Sequence, residues 1–144
     1  MDKIPVTVSE DHYKADACVV WCFDDRFSLA LEELIRVRRL NHVDRVIVAG
    51  GAKALGVADE ETKKDVLIRE IGTSIKLHGA GRVILMTHAD CGAFGGRAAF
   101  HDDAGEELQR HREILVNARQ AVKERFPEAE VETLFVSPSA IITL

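Results

Sequence analysis

No stretch of this chain approaches the roughly 18 consecutive apolar residues of a membrane span, and the opening Met1-Asp2-Lys3-Ile4-Pro5 has no apolar export core. The expected compartment is therefore the cytoplasm, with no membrane partner. Basic clusters are equally scarce: Arg36-Val37-Arg38-Arg39 is the densest, in a chain of net charge −5 and pI near 5.7. Such a chain lacks the positive footprint of a nucleic-acid binder. Repeats, linkers and low-complexity tracts are also absent. The 144 residues, 47% of them hydrophobic, suffice for one core, and a single domain over 1–144 is expected.

Cysteine is too rare for a disulfide framework, with only Cys18, Cys22 and Cys91. Cys18 and Cys22 fall in one apparent strand, where four residues at ~3.3 Å each separate their Cα atoms by roughly 13 Å. A disulfide tolerates no more than about 7 Å. Cys18 reads as a small buried hydrophobe, the usual state of a free cysteine.

What is present is a regular alternation of apolar runs and helical patterns. Four runs, Ala17 to Phe23, Arg45 to Ala49, Arg82 to His88 and Val131 to Val136, have the continuous apolar character of strands buried on both faces of a parallel sheet. Three helical stretches separate them. The first starts at Ser28 as N-cap and runs through Leu31, Leu34 and Ile35 to Leu40; the second carries Leu67, Ile71 and Ile75 before Gly79; the third carries Leu108, Leu115, Ala118 and Val122 before Pro127. The pattern predicts an α/β fold of one four-stranded, mostly parallel sheet flanked by helices, with right-handed crossovers.

The chemistry-bearing residues sit at the ends of two of these strands, in Cys22-Phe23-Asp24-Asp25-Arg26 and His88-Ala89-Asp90-Cys91-Gly92. Ligands of open α/β sheets collect beyond the carboxyl ends of the strands, where strand order reverses. An order of 2-1-3-4 would bring both pieces together, and this order is inferred from the site. Cys22, His88 and Cys91 then offer two thiolates and an imidazole, a three-ligand zinc set with one position open. Thiolates neutralise the dication, and zinc lowers the pKa of a bound water from about 15.7 toward about 7, making hydroxide available near neutral pH. Asp24 can orient that nucleophile, and Arg26, bidentate to Asp24, can keep it ionised and fixed.

The pair C-x-D-x-R and H-x-x-C resembles the zinc signature of the β-class carbonic anhydrases. By that resemblance Cys22, His88 and Cys91 bind Zn2+ and Asp24 and Arg26 form a hydrogen-bonded dyad, while in some members with a closed resting form the residue at the Asp24 position swings onto the zinc as a fourth ligand. The resemblance also implies a homodimer, with the substrate pocket built partly by the partner subunit. The chain departs from usual members in lacking their longer N-terminal helical arm and in reading Val48-Ala49-Gly50-Gly51 where they carry an Arg-Asn-Ala-Gly-like turn. The activity implied is reversible hydration of carbon dioxide by a zinc lyase. Hydrolysis of carbonyl sulfide or carbon disulfide, a non-catalytic zinc protein, and a nucleotide- or anion-binding module are the alternatives.

The remaining polar residues have plainer readings. Asp25 and Asp90 suit solvent or nearby backbone amides, and His111 falls on the apolar stripe of the third helix as a hydrogen-bonded core or interface histidine. His12, His42 and His78 have no ligand spacing, and His101 reads as an exposed loop residue. The stretch Gly50-Gly51-Ala52-Lys53-Ala54-Leu55-Gly56 lacks the spacing of a nucleotide loop, and Lys53 reads as solvated. The apolar tail Ala140 to Leu144 is expected to be covered by a second subunit.

Overall fold

A computed structural model describing residues 1–144 contains five strands and four helices. They are β1 (Ala17–Cys22), α1 (Ser28–Arg38), β2 (Val43–Val48), α2 (Lys53–Gly56), α3 (Glu61–His78), β3 (Arg82–His88), α4 (Ala104–Arg125), β4 (Glu130–Val136) and β5 (Ile141–Thr143). All belong to one sheet in the order β2-β1-β3-β4-β5. The first four strands are parallel, and β5 runs antiparallel to β4. The 2-1-3-4 order inferred from the site is thus the core of the sheet.

The strand count is five rather than four. Ile141–Thr143 turns back after Ser137-Pro138-Ser139 and pairs Ile142 with Phe135. The tail finds this cover within its own chain: Leu144 donates its N–H to the Thr133 carbonyl and packs on the core. The strand was missed because three residues after a proline turn carry too short a pattern to read.

Central strands are buried on both faces, as the continuous runs require: all of β1, and β3 from Val83 to His88. β2 departs from the expectation. It is an edge strand that alternates between half-buried and exposed positions from Asp44 on: Val46 and Val48 pack on one apolar layer, Val43 packs on the other, and Ile47 is exposed. Two apolar layers result. One packs Leu67 and Ile71 of α3 and Leu115, Ala118 and Val122 of α4 on Cys18, Val20, Val83 and Leu85. The other packs a single helix, α1, through Leu31 and Leu34 on Val19, Trp21, Ile84 and Met86.

Helix ends follow local chemistry. α3 stops where Gly79 adopts φ +64° and donates its N–H to the Ile75 carbonyl. α4 starts where the Asp103 carboxylate accepts the N–H groups of Gly105 and Glu106. Ser28 is not the cap of α1. A 3-10 turn, Asp25–Phe27, precedes that helix, and Asp24 caps the turn by accepting the Arg26 N–H at 3.1 Å. The buried stripe of α4 is Glu107, His111, Ile114, Leu115, Ala118 and Val122, while Leu108 is only half-buried. Residues 1–14 carry no helix or strand and are exposed.

Candidate metal centre

β1 ends at Cys22 and β3, its neighbour, ends at His88. Cys91 follows after a tight turn in which Asp90 takes φ +52°, a conformation Asp tolerates better than most side chains. The Sγ atoms of Cys22 and Cys91 and a ring nitrogen of His88 all lie within 4.8 Å of one another, and all three residues are buried. None of the three cysteines forms a disulfide, and Cys18 is a core residue whose thiol pKa burial pushes up to about 11.

The donor set fits a soft divalent cation. The His88 Nδ1 lies 2.8 Å from the Ala89 carbonyl, which can only accept, so Nδ1 carries the proton and Nε2 presents a lone pair. That Nε2 is buried without a hydrogen-bond partner. An orphaned imidazole nitrogen beside two sulfurs, with its other nitrogen tied to a backbone carbonyl, is the usual setting of a metal-ligating histidine. Phe27 and Trp21 pack against the ring, centroids 4.3 and 5.5 Å away, and restrict its rotation.

The sulfurs are electrostatically unequal. The Cys91 thiol, above all, holds Cys22 well below the usual thiol range, with help from His88 and backbone N–H groups including that of Gly50, 3.4 Å from its Sγ. Cys91 is pushed up by the neighbouring Cys22 sulfur and by burial. Burial alone would lower the His88 pKa, but the Cys22 sulfur and the Ala89 carbonyl outweigh it and the net direction is up. A thiolate is therefore already favoured at Cys22, as metal binding requires.

The Gly50-Gly51 pair belongs to this centre. Gly51, at φ +54°, lies so close to the strand ends that an added Cβ would stand 2.4 Å from the Met86 carbonyl oxygen. This turn presses backbone against Cys22 and donates the Gly50 N–H to its sulfur.

Asp24 and Arg26 form the dyad expected of them geometrically. Arg26 Nε lies 3.0 and 3.2 Å from the two Asp24 oxygens, and Nη2 lies 2.7 Å from Oδ2. Asp24 Oδ2 is 4.0 Å from His88 Nε2, so the carboxylate stands beside the cluster. Arg26 holds its pKa below the carboxylate range, and Asp24 and Asp90 raise that of the guanidinium. Asp90 accepts a backbone amide, that of Arg97, as expected, but it also accepts Arg26 Nη1 at 2.9 Å. Its own N–H bonds to the buried Glu107 at 2.6 Å. Sequence reasoning passed over Glu107; its only signal was its place four residues before His111 on one helix stripe.

The other candidates lie apart from this cluster. His111 is a buried core histidine: its Nδ1 is 2.8 Å from Thr87 Oγ1, Phe94 stacks on it, and burial pushes its pKa down to about 3. His101 is exposed and pairs with Glu106, Lys53 pairs with Glu60, and Asp25 is exposed. His42 and His78 flank Tyr13 at the opposite end of the sheet.

A parallel α/β sheet with a Cys-His-Cys cluster at its switch point defines the class of molecule. The family model described as "Putative carbonic anhydrase" matches residues 12–143, and the chain belongs to that family as a compact, divergent β-class carbonic anhydrase relative. An uncharacterized protein of Rickettsia bellii (strain RML369-C) is 28% identical over 147 residues, covering 96% of this chain and 89% of that protein. Among solved structures, β-carbonic anhydrase isoform I of Trichomonas vaginalis superposes with a TM-score of 0.61 at 17% identity, covering 96% of this chain and 87% of its own. The apo form of carbon disulfide hydrolase superposes with a TM-score of 0.57 at 13% identity, covering 88% and 77% respectively. These two likenesses are of fold. No helix is long and apolar enough to cross a membrane.

Proposed function

We propose that the whole chain works as one zinc domain that reversibly hydrates carbon dioxide, with Cys22, His88 and Cys91 as the ligands of Zn2+. The observation that carries this reading is the buried, unpartnered His88 Nε2 facing two cysteine sulfurs. Held by these three residues, zinc would supply an acidified water as nucleophile. Asp24 would accept a hydrogen bond from that water and orient it toward the substrate carbon. Arg26 keeps that carboxylate ionised and fixed, which also restrains Asp24 from closing on the metal as a fourth ligand.

Carbon disulfide or carbonyl sulfide is the second substrate class, favoured by the likeness to carbon disulfide hydrolase. The nucleotide reading loses its support, because the Gly50 N–H is directed at Cys22 rather than at an open loop. The proposal includes a homodimer working in the cytoplasm. Ile4, Val6 and Val8 alternate along the exposed N-terminal segment at 91%, 79% and 70% exposure. A groove of about 820 Å³ lined in part by Leu29, Val37, Pro138 and Ile141 runs along α1, on the face that only this helix covers.

Metal analysis and stopped-flow hydration of carbon dioxide test the reading, with carbon disulfide and carbonyl sulfide assayed in parallel. About one zinc per chain is expected, lost in Cys91→Ser. Asp24→Ala should retain the metal and lose roughly ten- to a hundredfold in rate. Stoichiometric zinc without turnover of any of the three substrates would leave a non-catalytic metal protein, and no zinc after supplementation would overturn the assignment.

A further inference from the structure

The geometry points to Asp90, anchored from beneath by the buried Glu107, as the positioning residue that fixes Arg26 and, through it, Asp24; this rests on the carbonic anhydrase reading above. Arg26 is 55% exposed. A long, exposed arginine paired with one carboxylate two residues away keeps much rotamer freedom, and such pairs hold weakly. Here the guanidinium has a second anchor. Nη1 donates to Asp90 Oδ2 and Nη2 to the Asp90 carbonyl, each at 2.9 Å. The planar fork is thereby gripped from both sides, with Nε and Nη2 on Asp24.

Asp90 can do this because its own backbone is pinned. Its N–H donates to Glu107 Oε1 at 2.6 Å, and its Oδ1 accepts the Arg97 N–H at 2.9 Å. Glu107 is 2% exposed, and a buried carboxylate is retained only where hydrogen bonds and local dipoles compensate its desolvation. It lies in the first turn of α4, where the helix dipole favours negative charge. α4 thus reaches across the Cys91 loop and sets the backbone from which Asp90 holds the arginine. Asp24 is gripped at the end of this chain of four residues.

Asp90→Asn isolates the contact. Asparagine accepts φ > 0 and can still receive the Arg97 N–H through Oδ1, but it then turns an amide donor toward Arg26. Expected are unchanged zinc content, a near wild-type KM and a kcat lowered roughly tenfold. A second readout is the solvent exchange of the Arg26 Nε–H, followed by NMR on the protein as purified, which should speed up at least about tenfold as the arginine is released. Glu107→Leu, which removes the acceptor, should follow Asp90→Asn, whereas Glu107→Gln, whose amide oxygen still accepts, should stay within about twofold of wild type. If Glu107→Leu fails to fold, Asp90→Asn decides the question alone. Unchanged Arg26 exchange in Asp90→Asn overturns the proposal, as does faster exchange with an unchanged kcat in an active enzyme. If wild type does not hydrate carbon dioxide yet Arg26 exchange still accelerates, the activity reading fails and the positioning of Arg26 stands.

Discussion

The two ends of the sheet each carry a polar cluster, and they are built on opposite principles. At the amino end Asp44, at the start of β2, accepts the Tyr13 hydroxyl at 2.7 Å, the Ser74 hydroxyl at 2.6 Å and His78 Nδ1 at 2.8 Å. Burial would raise its pKa, but these donors outweigh that and hold it low. The carboxylate is saturated, and the cluster ties Tyr13, β2 and the last turn of α3 together. At the carboxyl end the His88 Nε2 has no partner and two sulfurs face it. The backbone around them is drawn into positive φ at Gly50, Gly51 and Asp90. A satisfied network is finished once the chain has folded. An unsatisfied one, held in place by strained turns, is prepared for something the chain does not supply.

Removing a donor at the carboxyl end should give the largest effect. His88→Ala is expected to weaken zinc binding more than about a hundredfold, beyond the usual range for an outer-shell change, measured by chelator competition. If affinity is retained, the contrast between the two ends collapses. Gly51→Ala places a Cβ against the Met86 carbonyl at a residue with φ +54°. It should cost about 1–3 kcal/mol, read from denaturant unfolding, because the close approach has no room to relax.

Asp44→Ala at the amino end should cost about 1–2 kcal/mol by leaving the Ser74 hydroxyl unpaired, while zinc content and turnover stay at wild-type values. A loss of metal there would break the division of labour. A pH-dependent effect is expected from His111. Its pKa is about 3 in the fold and about 6.5 when unfolded, so the unfolded chain binds the extra proton between those values. Stability from this residue is complete above about pH 6.5 and is lost as pH falls toward 3. Urea midpoints across that range should decline with acid in wild type, and less so in His111→Leu.

Local pattern is informative where burial and chain direction coincide. β1 and β3 read as strands because both their faces are buried, so nearly every residue is apolar. Cys22, His88 and Cys91 were legible for the same reason: each stands at or just after the end of such a run. The edges were less legible. β2 lost two residues at its start, Val43 and Asp44, because an edge strand buries one face and its first polar residue belongs to the other cluster. β5 is defined by its pairing with β4 and not by its own three residues. Glu107 was invisible because a glutamate on a helix ordinarily faces water, and the groups that make its burial tolerable, the Asp90 amide and the start of α4, come together only in the fold.

The sequence by itself determined the alternation of strand and helix, the residues that end β1 and β3, and the thiol and imidazole chemistry those ends can present. Hydrophobic period and side-chain type are local properties, so they can be read before the chain is folded. Only the tertiary structure decided that the Gly50 N–H reaches Cys22, that Arg26 is shared between Asp24 and Asp90, and that His88 Nε2 is left unpaired. Those facts join residues distant along the chain, and each depends on strand order and backbone direction at a turn, which no single segment encodes.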